Sequence, residues 1–109
     1  MHVLELFTSD HCPGCPAART ALQRLCEEDD SLRLVIVDVD SQPAKAGVYG
    51  LVATPATVIN GRHVLYGVPR PDVIRRYVAS IRPIDSRGRQ RSSAASARIE
   101  TRVRRRERR

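Results

Sequence analysis

The chain has 109 residues, of which 41% are hydrophobic and 28% charged, the balance of one globular domain. Aromatic residues reach only 4%, so the core must be aliphatic, and no apolar run approaches the roughly 20 residues of a membrane helix. The net charge of +7 is lopsided: residues 1–81 hold eight Lys and Arg against nine Asp and Glu, whereas residues 82–109 hold eleven Arg against three acids.

His2 to Thr8 is rich in β-formers and reads as a strand. Ala17 to Glu28 carries Ala18, Leu22, Leu25 and Cys26 at helical spacing. Arg33 to Val39 is a near-continuous aliphatic run, the pattern of a strand buried on both faces. Pro43 to Tyr49 reads as a short helix ended by Gly50. Pro55 to Ile59 and Arg62 to Tyr66 are β-branched runs around Asn60-Gly61, a hairpin signal because both residues tolerate positive φ. Pro71 to Ile81 reads as a final helix, with Pro71 in its first turn and Val73, Ile74, Tyr77, Val78 and Ile81 on its apolar face. The order β-α-β-α-β-β-α predicts an α/β fold: parallel strands joined by right-handed crossovers, then an antiparallel hairpin.

Cys12-Pro13-Gly14-Cys15 lies between the first strand and the first helix. Two cysteines three apart at a helix start can close a small disulfide ring. The first also faces unpaired backbone N–H groups and the positive end of the helix dipole. Such sites lower thiol pKa values to roughly 3.5–7.5, and the thiolate is the attacking species in thiol–disulfide exchange. Cys12, on the loop side, is the predicted nucleophile. Cys15, one turn in, is the more buried resolving thiol. His11 adjoins Cys12 and would lower its pKa further if protonated; a solvent-exposed loop histidine is the plainer alternative. Pro55 precedes a β run, where a cis peptide turns the chain without needing the missing N–H. An ordinary trans proline in an edge turn is the alternative. Cys26 lies eleven residues beyond Cys15, about 16 Å along a helix. That separation forbids a direct bridge and leaves a buried structural thiol or a third redox thiol.

Together these residues resemble the thioredoxin/glutaredoxin superfamily. The matching pieces are Phe7-Thr8-Ser9, Cys12-Pro13-Gly14-Cys15, Val37-Asp38-Val39-Asp40, Ala53-Thr54-Pro55-Ala56, Asn60-Gly61 and Gly67-Val68-Pro69, spread over residues 1–81. The resemblance implies a minimal thioredoxin-like fold with a four-stranded mixed sheet. It implies a cis Pro55 beside the active-site disulfide, and a Thr54 backbone that pairs with an extended substrate segment. It also implies a dithiol–disulfide oxidoreductase with Cys12 and Cys15 as catalytic residues and Thr54, Pro55 and His11 at the substrate site. Its partners would be a disulfide-containing client protein and an upstream reductase, with no cofactor and no metal. The chain departs from the pattern at several points. His11 replaces the usual aromatic before the first cysteine, and Leu6 stands where many thioredoxins bury an Asp. Gly14 stands where typical glutaredoxins have Tyr. The cysteine motif followed by an Ala/Leu helix also resembles heavy-metal-associated domains, in which the two thiolates would carry Cu or Zn. Asp10 occupies the position of that family's usual Met, and the family gives no reason for Thr54-Pro55.

From Pro83 onward large aliphatics nearly vanish and serines punctuate the arginines. Composition therefore predicts a folded domain over residues 1–82 and a disordered basic tail over 83–109. The tail reads either as a solvated segment or as an arm for nucleic acid or an acidic protein surface. No basic start followed by an apolar stretch marks a secretory signal, so a cytoplasmic monomer is expected.

Overall fold

The structure is a computed structural model that describes residues 1–84; the predicted arginine-rich tail beyond Ile84 lies outside the described residues. The elements follow the expected order. They are β1 (His2–Thr8), α1 (Cys15–Glu28), β2 (Leu32–Asp38), α2 (Pro43–Tyr49), β3 (Ala56–Ile59), β4 (His63–Tyr66) and α3 (Pro71–Ser80). They form one four-stranded sheet in the order β2-β1-β3-β4, with β1 parallel to β2 and both other pairings antiparallel. The mixed α/β architecture is the one expected from the residue pattern.

Side chains alternate across β1 with the two-residue period of a strand. Leu4 and Leu6 face α1 and α3 and pack with Ala18, Leu22, Leu25, Ile59 and Ile74. Phe7 faces α2 and packs with Val37, Ala56 and Val58, with Ala46 and Tyr49 against them. Phe7 and Tyr49 meet edge to face with ring centroids 5.8 Å apart. The Tyr49 hydroxyl donates to Glu5 Oε1 at 2.8 Å. Burial and that carboxylate push the tyrosine pKa up to about 12.

The Arg33–Val39 run forms β2, and its side chains pack into clusters on both faces of the sheet, as the apolar run predicts. The strand lies at the sheet edge, and Leu34, Val35 and Ile36 are only partly buried. Side-chain pattern does not report whether a lateral neighbour exists.

Asn60 and Gly61 adopt φ of 54° and 71° between β3 and β4, as a tight primed hairpin turn requires. Asn60 also closes the end of the sheet. Its Oδ1 accepts the Val3 N–H at 2.8 Å, which orients the carboxamide. Its Nδ2 then reaches the Arg82 carbonyl at 3.1 Å and His2 Nδ1 at 3.0 Å. The Ile84 N–H donates to the Met1 carbonyl at 2.9 Å, and Ile84 is only 9% exposed. Ile84, the last described residue, is thus buried and bonded beside the amino end of β1.

Candidate functional site

The parallel β1–β2 pair places the loop after β1 at the carboxyl ends of both strands, and α1 starts from that loop. Cys12 and Cys15 are joined there as a disulfide, with Cα atoms 5.4 Å apart. The ring spans the first turn of the helix: the Cys15 N–H donates to the Cys12 carbonyl at 3.2 Å, and the Ala18 N–H to the Gly14 carbonyl at 3.0 Å. Gly14 caps α1 without a side-chain hydrogen bond, and no acidic residue lies in the first turn. The positive end of the helix dipole therefore acts on the sulfurs without a nearby counter-charge in that turn. Cys12 is half-buried, whereas Cys15 is 5% exposed.

The second half of the site comes from the strand end beside β1. The Thr54–Pro55 peptide is cis, and Pro55 is buried at the start of β3. The cysteine loop packs directly on it. A Cβ added to Gly14 would lie 3.4 Å from Pro55 Cδ and 3.3 Å from Val68 Cγ2. Only glycine gives that loop its present closeness to both residues without displacing a neighbour. The Gly67 N–H donates to the Pro55 carbonyl at 2.9 Å and so ties the Val68 loop to the same place. The loop that joins Cys12 to Cys15 thus lies, through Gly14, against Pro55, and the preceding Thr54 is half-buried. His11 is exposed on the loop just before Cys12.

A groove beside the disulfide is lined by both cysteines, Thr8, Asp10, Arg19 and Asp38. Carboxylate oxygens of Asp10, Asp38 and Asp40 lie within 4.8 Å of one another along its rim. The Asp10 N–H donates to Asp40 Oδ2 at 3.0 Å, and the Asp40 N–H to Asp38 Oδ1 at 2.9 Å. Ser9 and Thr54 meet through their hydroxyls at 2.9 Å. Sequence reasoning found neither the acidic rim nor this contact. The rim brings Asp10 to Asp40 from 30 positions away, and Ser9 and Thr54 are 45 positions apart, so no local pattern announces either meeting. Leu6 is fully buried within the α1/α3 cluster, so that position holds no carboxylate. Cys26 is free and only partly buried, packed against the same cluster. Burial, then the charge of Asp29, pushes its thiol pKa up.

Comparison with known proteins agrees with this geometry. The family model described as a thioredoxin domain matches residues 2–79. A thioredoxin of Methanocaldococcus jannaschii is 38% identical over 72 residues, covering 65% of this chain and 85% of the relative. A probable thioredoxin of Archaeoglobus fulgidus is 30% identical over 83 residues, covering 75% of this chain and 91% of the relative. Among solved structures, a mutant thioredoxin from Halobacterium salinarum superposes with a TM-score of 0.64 at 26% identity, covering 72% of this chain and 73% of the other. The oxidised mitochondrial thioredoxin 3 of Saccharomyces cerevisiae gives 0.64 at 21% identity over 73% of this chain and 78% of its own, a likeness of fold. The sheet order, the disulfide at the start of α1 and these matches lead to one conclusion: the chain belongs to the thioredoxin family.

Proposed function

We propose that the chain is a dithiol–disulfide oxidoreductase that reduces or exchanges disulfides in client proteins. The observation that carries this reading is the unequal exposure of the two cysteines, Cys12 half-buried and Cys15 5% exposed, at a helix start whose loop packs on cis Pro55. In the reduced chain the Cys12 thiolate attacks one sulfur of the client disulfide. A mixed disulfide forms, and the departing client sulfur leaves as a thiolate that takes a proton. The Cys15 thiolate then attacks the Cys12 sulfur, closes the Cys12–Cys15 bond and releases the second client thiol. The client gains two electrons and two protons, and the chain loses them. A dithiol reductant, supplied by an upstream reductase, returns them. Thr54 and Pro55 form the edge on which an extended client segment lies, and exposed His11 stands where that segment reaches Cys12.

The test is trapping. Cys15→Ser, reduced and mixed with native insulin, accumulates a covalent adduct on a non-reducing gel, and dithiothreitol dissolves it. Cys12→Ser forms none and loses insulin reduction, because the accessible nucleophile is gone. An adduct from Cys12→Ser alone would invert the two roles. No adduct from either variant, with no insulin reduction by the unaltered chain, would refute the reading.

A further inference from the structure

The β1–β3 ladder pairs Leu4 with Ile59, Glu5 with Val58, Leu6 with Thr57 and Phe7 with Ala56, and there it stops. Extended by the same register, Thr8 would oppose Pro55 and Ser9 would oppose Thr54. Pro55 has no N–H to give, so the backbone ladder cannot continue through it. The next in-register pair is nevertheless joined, through side chains: the Ser9 and Thr54 hydroxyls lie 2.9 Å apart in a partly buried contact. Among the described residues no backbone hydrogen bond uses the Thr54 N–H or carbonyl. The hydroxyl pair therefore fixes the position of Thr54 while leaving its backbone groups unused by the fold.

We propose that Ser9 is a positioning residue for client binding: its hydroxyl replaces the missing rung of the ladder and holds Thr54 at a set distance from Cys12, with the Thr54 backbone open to pair with an extended client segment. The inference rests on the oxidoreductase reading above. Ser9 touches neither sulfur in this role; it acts through Thr54. It stands three residues before Cys12 on the loop that carries the disulfide, so the contact ties that loop to the proposed client-binding edge. Thr54 is also a β-branched residue with a hydroxyl, the combination that supports cross-strand Ser–Thr pairs.

The experiment compares two substrates with dithiothreitol as terminal reductant. Insulin offers a peptide segment that can pair with the Thr54 edge. 5,5′-Dithiobis-(2-nitrobenzoate) offers a disulfide and no peptide. For Ser9→Ala, the ratio of kcat/KM on insulin to that on the small disulfide falls about two- to tenfold, the worth of one hydrogen bond. The fall is carried by KM for insulin rather than by kcat. Ser9→Thr, which keeps a hydroxyl, restores the ratio. Thr54→Val lowers it, and adding Ser9→Ala to Thr54→Val lowers it no further, because the two side chains share one interaction. Equal losses on both substrates, independent losses from the two sites, or no rescue by Ser9→Thr would overturn the inference while leaving the oxidoreductase reading intact. Failure of the unaltered chain to reduce either substrate would instead overturn that reading.

Discussion

Replacing Asn60 with Ala should remove more stability than its surface position in a hairpin suggests. The side chain makes three hydrogen bonds, to the Val3 N–H, the Arg82 carbonyl and His2 Nδ1, and Asn60 is 7% exposed. At about 1 kcal/mol each these contribute about 3 kcal/mol. The backbone φ of 54° adds about 1 kcal/mol, because alanine tolerates the left-handed region less well than asparagine. The expected loss is therefore about 4 kcal/mol, a large part of the roughly 5–15 kcal/mol that holds a small domain together. The bond from the Asn60 N–H to the Val3 carbonyl survives the substitution, so the hairpin itself is retained. Asn60→Asp separates the contributions. It keeps an acceptor for the Val3 N–H and an aptitude for positive φ but loses both donors, and should lose about 2 kcal/mol at pH 8. Urea unfolding of the oxidised proteins, followed by far-ultraviolet circular dichroism with a shared m-value, measures both. A loss below about 1.5 kcal/mol for Asn60→Ala would show that these three bonds do not hold His2, Val3 and Arg82 together.

Three further outcomes follow from particular contacts. Burial, then the charge of the N-terminal amino group, holds His2 below its ordinary pKa of 6.5, against an opposing contribution from Asp29. The unfolded chain thus takes up the proton first, and the stability that neutral His2 contributes is complete above pH 6.5 and lost as pH falls through the lowered folded value. Urea midpoints should drop over that range and drop less in His2→Gln. Gly14→Ala should cost about 1–2 kcal/mol by crowding Val68 and Pro55, and Val68→Ala in the same chain should recover part of it; strictly additive losses in a double-mutant cycle would refute the contact. Cys26, with its thiol pKa raised, should react with iodoacetamide more slowly at pH 8 than a free cysteine in the urea-unfolded chain. Cys26→Ser should still reduce insulin, and in the Cys15→Ser background it should still leave the insulin adduct trapped.

The legible parts of this molecule were the local ones. β-rich and aliphatic runs, helical spacing and turn residues placed every element to within about two residues, because each signal lies within its own segment. Cys12, Cys15 and Pro55 were legible for a similar reason: two thiols at a helix start and a proline before a strand carry their chemistry in a few adjacent letters. What could not be read were meetings between distant segments. Ser9 looks like an ordinary loop serine until the β1–β3 register sets it opposite Thr54. Asp10 and Asp40 look like solvated acids until the β1–β2 pairing brings their loops together. The edge location of β2 and the packing of Ile84 escaped notice likewise, since neither alters the hydrophobic pattern of its own segment.

The bond from Ile84 to Met1 has a practical consequence for how the molecule can be held. It lies beside the amino end of β1, whereas Ser9 to Cys12 follow the carboxyl end of the same strand. Seven extended residues separate those ends by about 20 Å across the sheet. In a chain shortened to Ile84, a fluorophore, a resin bead or a fused carrier joined to that residue is therefore anchored at the far pole from the disulfide. A sensor or affinity matrix built on that shortened chain would present the Cys12 face outward to solution.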